Sequence, residues 1–141
     1  MILISSSGMQ LLHNAIGSQA TFLACGRNYR VVANYIKDRF NKIAILGAGT
    51  RGDFRREDLI CCAWVAEILI AAGFAPTNQQ TQEYVECWAN ASSHDFDGGN
   101  SAKYLKRSGQ VHDLAYIINH VDDLTIVPEF IGSELIDVFS E

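Results

Sequence analysis

Glycines at 47, 49 and 52, an arginine at 51 and the carboxylate pair Glu57-Asp58 stand close together in this chain. Glycine lets main-chain N–H groups approach a ligand, and a helix starting just beyond adds partial positive charge. Such a place suits an anion, phosphate above all. Arg51 has little to pack against beside Gly52, and its planar fork matches phosphate bidentately. Glu57 and Asp58 supply hard oxygen ligands for a divalent cation lying next to phosphate oxygens, or simply favour a helix dipole. Neighbouring helical residues point about 100° apart, which aims one of the two at the loop.

Two other junctions have the same character. Ser5, Ser6, Ser7 and Gly8 follow the apolar residues 1–4, and Arg27 and Asn28 follow residues 21–25. Hydroxyls and free N–H groups at a helix start make an oxyanion cradle; they also make an ordinary helix cap, and the residues alone leave both readings open. His94 with Asp95 and Asp97 forms a third polar group if its loop folds over the site. The four histidines show no metal-ligand spacing, and no G-x-S-x-G elbow supports a nucleophilic triad. Gly47 to Gly52 matches G-x-G-x-x-G, which raises a nucleotide-binding Rossmann-like reading. The match follows a third strand rather than a first, and no acid ends a following strand to hold a ribose.

These groups must be positioned by elements read from periodicity. Strands are expected at 1–4, 21–25, 42–46 and 124–127, with an edge strand at 134–139. Helices are expected at 8–16, 29–40, 54–72 (capped by Asp53), 79–91, 101–108 and 112–121. The helix at 54–72 is apolar nearly all round, so it should lie between the sheet and a further layer. Alternating strand and helix implies a layered α/β/α domain with a largely parallel sheet, which gathers the three junctions on one rim.

The chain has 141 residues, enough for one domain with a core of its own. Its net charge of −5 without a basic cluster argues against nucleic acid and anionic membrane as partners. Cys25, Cys61, Cys62 and Cys87 contain no C-x-x-C pair and read as buried reduced thiols. Residues 1–4 lack a basic leader, and 59–72 is short of the ~20 apolar residues a membrane helix needs, so a cytoplasmic location is expected.

Taken in order, these residues resemble the 2-phosphosulfolactate phosphatase family. Ser5-Ser6-Ser7-Gly8 is similar to its T-x-N-G-T-like turn, and Asn28 with Val32-Ala33 and Tyr35 to its N-x-x-x-V-A helix start. Gly47 to Gly52, Phe54, Glu57-Asp58 and Cys61 resemble its A-G-x-x-G-x-F-x-x-E-D-x-x-C-A-G signature. Ser101-Ala102, Leu105, Gly109, Asp113 and Val127-Pro128 are similar to its C-terminal pattern. Ser7 stands where the turn has asparagine, and Cys62 where the signature has alanine.

The resemblance implies a Mg2+-dependent phosphatase of coenzyme M biosynthesis, acting on a small phosphorylated acid such as 2-phosphosulfolactate. Arg51 and Asp58 would be catalytic, with Glu57 and Asp58 on the metal. Ser5, Ser6, Ser7, Gly8, Asn28, Gly49 and Arg51 would bind substrate. The match corresponds to the C-terminal portion of the family. Homo-oligomerisation or pairing with a separate N-terminal half is therefore expected, and a non-catalytic anion-binding or assembly module is the alternative.

Overall fold

The computed structural model describes residues 8–49, 53 and 55–140. Helix α1 is Gly8–Asn14, α2 Tyr29–Lys37, α3 Arg56–Ala71 and α4 Gln79–Trp88. A 3-10 helix follows at Ser93–Gly98, then α5 at Asn100–Arg107 and α6 at Val111–Asn119. Strands β1, Pro128–Ile131, and β2, Glu134–Asp137, close an antiparallel hairpin in which Pro128 faces Asp137.

Helix α3 is the centre of this arrangement. It has neither glycine nor proline inside it, and it buries Ile60, Ala63, Trp64, Val65 and Leu69. Helix α2 covers one side with Tyr29, Val32, Ala33 and Ile36, the i, i+3, i+4, i+7 stripe of an amphipathic helix. Helix α4 and the 3-10 helix lie against other faces, the latter through Phe96. Tyr29 and Phe96 sit on either side of Trp64, with ring centroids 4.9 and 5.6 Å from it. The indole N–H donates to the Ala91 carbonyl at 3.0 Å, so the bulkiest core side chain buries no unpaired donor.

The helix ends follow from local chemistry. Gly73 (φ 100°) takes the left-handed conformation that a C-terminal stop needs. Its N–H reaches the Ile70 carbonyl, and that of Phe74 reaches Leu69, which together make a Schellman motif. Asn78 caps α4 by accepting from the Thr81 N–H at 2.8 Å.

The expected layered α/β/α domain with a parallel sheet is not what forms. Among the described residues the only sheet is the two-stranded hairpin. Residues 21–25 and 42–46, expected as strands, form no ladder: Phe22 makes one isolated antiparallel bridge, to Glu129. An apolar run specifies an extended, half-buried segment, but it supplies no hydrogen-bonding neighbour. Residues 124–127 likewise stay outside a ladder, and pairing begins at Pro128 instead. The strand expected at 1–4 lies outside the described residues. Helix α3 starts later than expected: Arg55, extended at φ −112°, ψ 138°, holds the N-cap position in place of Asp53. Its cover is α2 and α4 rather than a sheet.

Truncating Ile60, which is fully buried, to alanine should cost about 2–5 kcal/mol in urea unfolding. The same change at the exposed Ile70, on the same helix, should cost below about 1 kcal/mol.

Candidate active site

The glycine turn reaches the N-terminus of α3 through a short main-chain contact. Gly49 has φ +61°, and a Cβ there would sit 2.9 Å from the Asp53 carbonyl oxygen, so the turn needs glycine. Its N–H donates to the Asp58 carboxylate at 2.7 Å. Gly47 lies against the same helix, where an added Cβ would come within 3.5 Å of Asp58 Cβ and 3.6 Å of Cys62 Sγ. Burial pushes the Asp58 carboxyl above the usual carboxylate range. The Gly49 N–H pulls it back, and Arg55 does so more weakly.

Glu57 is held from a distant part of the chain. The Ser101 hydroxyl, 44 positions away, donates to its Oε1. Its Oε2 is buried with no hydrogen-bond partner among the described residues. Gly99 lies beneath that oxygen at the N-cap of α5, where a Cβ would stand 3.0 Å from it. A carboxylate is thus fixed at a helix N-terminus with one oxygen uncommitted. The buried Nε of Arg55 also has no hydrogen-bond partner among the described residues.

Both acids open onto one cleft of about 950 Å³, which Gly8, Gly26, Arg27, Gly47 and Ala48 also line. Of the pair, Asp58 bonds to the loop through Gly49, whereas Glu57 meets Ser101 and Gly99. Much of the remaining wall is apolar, including Leu23, Ile45, Val65 and Phe96. Arg27 stands at the rim as half of a bidentate pair with Asp123, at 2.7 and 2.8 Å, with its guanidinium 5.6 Å from the Tyr116 ring centroid. That pairing lowers the Asp123 carboxyl below its ordinary range. His120 stacks on Tyr116 at 3.8 Å beside it.

The other expected site residues divide. Arg51, Ser5, Ser6 and Ser7 lie outside the described residues. Asn28, expected to bind substrate, is 3% exposed and turned inward. Its Oδ1 accepts from Cys25 N at 2.8 Å, and its Nδ2 donates to the carbonyls of Leu23 and Ile126 at 3.2 Å. Both amide protons are committed to main chain, and no side-chain bond caps α2. The polar loop at 92–100 does not gather its groups at the cleft: Asp95 accepts from Ser92, and Asp97 pairs with Lys106 at 2.6 Å. Sequence reasoning gave no site role to Arg55 or Gly99, and it met Ser101 only as part of the C-terminal pattern of the resemblance. Arg55 was findable as one of two cations just before the acidic pair; the other two meet Glu57 only through the packing of α5.

All four thiols are free, and two of them depart from the expected burial. Cys25 and Cys87 are exposed, whereas Cys61 and Cys62 are partly buried. Burial pushes the Cys61 thiol up to about 12 and Cys62 up to about 11, so both stay protonated at neutral pH.

Gly47, Glu57 and Asp58 line one cleft, and the second carboxylate oxygen of Glu57 is buried without a hydrogen-bond partner among the described residues. The chain belongs to the 2-phosphosulpholactate phosphatase family, whose profile matches residues 1–132. It is 25% identical over 135 residues to a probable 2-phosphosulfolactate phosphatase of Clostridium novyi (strain NT), an alignment covering 92% of this chain and 56% of that relative. The chain therefore spans little more than half the length of the curated relative it matches. Among the described residues no helix is long and apolar enough to cross a membrane.

Three measurements check this geometry. Asn28→Ala would strand the Cys25 N–H and two carbonyls, and should cost about 1–3 kcal/mol in urea unfolding. Alkylation at pH 7 should label Cys25 and Cys87 well ahead of Cys61 and Cys62, read by peptide mass. Asp58→Asn keeps an acceptor for Gly49 while removing a buried charge. Because the native pKa is raised, ionisation penalises the fold at neutral pH and the penalty fades as pH falls. The variant should thus melt a few degrees higher at pH 7, with the gain vanishing below the ordinary aspartate value of ~3.9.

Proposed function

We propose that this chain carries part of the active site of a phosphatase acting on a small phosphorylated acid, with 2-phosphosulfolactate as the fitting substrate. The observation that carries the reading is the pair Glu57 and Asp58, both opening onto the cleft at the start of α3, in a chain matched by the family profile over 1–132.

In this reading a phosphomonoester is hydrolysed: water forms the new P–O bond, the ester P–O bond breaks, and a proton reaches the leaving alkoxide. Glu57 Oε2, buried and without a hydrogen-bond partner among the described residues, fits a hard cation, as does its neighbour Asp58. Bound there, Mg2+ would neutralise negative charge growing on the phosphoryl oxygens. Ser101 holds the Glu57 carboxylate in one orientation, and the Gly49 N–H holds that of Asp58. Arg51 is assigned the phosphate clamp, with Ser5, Ser6, Ser7 and Gly8 as oxyanion donors. Asn28 serves the site indirectly, by fixing the loop that presents Arg27. The surrounding apolar wall lowers the local dielectric and strengthens each of these interactions.

The nucleotide-binding reading loses its support, because the dinucleotide fingerprint needs a βαβ sheet and the described residues form only a hairpin.

Phosphate release from 2-phosphosulfolactate, with and without Mg2+, tests the proposal. Activity should require the cation, fall at least about 100-fold in Glu57→Gln, and fall about 10–100-fold in Ser101→Ala, the range typical of groups that orient a ligand. Metal-independent turnover, or wild-type rates in Glu57→Gln, would refute these roles.

A further inference from the structure

Arg56 opens α3 with a cation, where the helix dipole disfavours one. None of the ion pairs among the described residues includes it. Its guanidinium lies 5.5 Å from the ring centroid of Trp88, at the end of α4, and against Gly98. A Cβ on Gly98 would stand 2.1 Å from Nη1 and 2.9 Å from Cζ of Arg56. Gly98 is not among the described glycines with positive φ, so its backbone conformation does not call for glycine; the guanidinium does. The pattern repeats one position on. Glu57 follows Arg56, Gly99 follows Gly98, and a Cβ on Gly99 would stand 3.0 Å from Glu57 Oε2. Two adjacent charged side chains of α3 thus sit on two adjacent glycines, and these lead directly into α5, whose Ser101 holds the other Glu57 oxygen.

We propose that Arg56 is a positioning residue for the phosphatase reaction: its guanidinium pins the Gly98–Gly99 main chain beside Trp88 and so fixes the seat on which the Glu57 carboxylate rests. The inference deepens the reading above and depends on Glu57 serving the site. Arg56 is exposed, but a merely solvated cation would leave room for a side chain at 98, and this one takes that room. A planar fork suits the place, because it lies flat over a glycine and beside an aromatic ring, which a compact, strongly hydrated ammonium does not. Trp88 is itself packed on the core, so the guanidinium ties the glycine pair to the part of the molecule that moves least. Arg56 touches neither Asp58 nor the glycine turn through any contact named above; its effect on the site passes through Gly98, Gly99 and Glu57.

The test uses the whole chain with Arg56→Met, Arg56→Lys, Gly98→Ala and the double variant Arg56→Met/Gly98→Ala. In Gly98→Ala the new methyl takes the place of the guanidinium, which can swing into solvent, so the fold should survive by circular dichroism. Arg56→Met and Gly98→Ala should each weaken Mg2+ binding, read by calorimetry, about tenfold, the low end for groups that orient a metal ligand. The double variant should bind no more weakly than either, because both changes remove the same contact. Arg56→Lys should not restore binding. In phosphate release, half-saturating Mg2+ should rise by the same factor, while KM for 2-phosphosulfolactate at saturating Mg2+ stays as it was. Without metal, the amides of Gly99 and Lys103, which donate to the carbonyls of Phe96 and Gly99, should exchange about tenfold faster in each single variant. Additive losses in the double variant would overturn the proposal, as would unchanged exchange, or lowered urea stability with Mg2+ affinity intact. A wild-type chain that neither binds Mg2+ nor releases phosphate would refute the phosphatase reading instead. The metal-free exchange would then decide alone, faster exchange upholding the role of Arg56 in the seat and unaltered exchange ending it.

Discussion

Helix α3 has to be covered on several sides, and that requirement orders the rest of the structure. Ile60, Trp64, Val65 and Leu69 together exceed what one neighbour can shield, so α2, α4 and the Phe96 turn close around them. Interiors of this kind are packed like organic crystals, which leaves the helix little freedom to shift along its axis. The chemistry is attached to its first turn. Glu57 and Asp58 thus inherit their positions from the hydrophobic core a turn or two away, and not from the loop that precedes them.

At that first turn favourable and unfavourable electrostatics are set against each other. Acids near a helix N-terminus gain from the dipole, and Asp58 gains again from the Gly49 N–H. Burial works against both, which is why the Asp58 carboxyl lies above its ordinary range. Glu57 leaves an oxygen buried and unmatched among the described residues. Unsatisfied groups are uncommon in folded proteins, which makes this oxygen the focus of the proposed site.

Helices were legible in the sequence because their signal is local, as in the periodic stripe of α2. The sheet was not legible. Residues 42–48 carry the right pattern, but whether an extended segment joins a ladder depends on neighbours that its own side chains do not encode. At the site, the acidic pair and the glycine turn could be read from spacing. Asn28 could not, since nothing in its neighbours indicates that its amide turns inward to Leu23 and Ile126. The contact of Ser101 with Glu57 was out of reach for a similar reason, because it spans 44 residues.

The seat of Glu57 leaves almost no slack. With Gly99 pressed beneath one oxygen and Ser101 bonded to the other, the carboxylate cannot swing to follow a ligand. Its accuracy is therefore the accuracy with which α5 is mounted on the rest of the molecule. Drift at sites near α5, even ones remote from the cleft such as the Asp97–Lys106 ion pair, would pass into the site as misalignment. In this architecture a peripheral helix acts as a jig, and selection on function extends to whatever keeps that jig true.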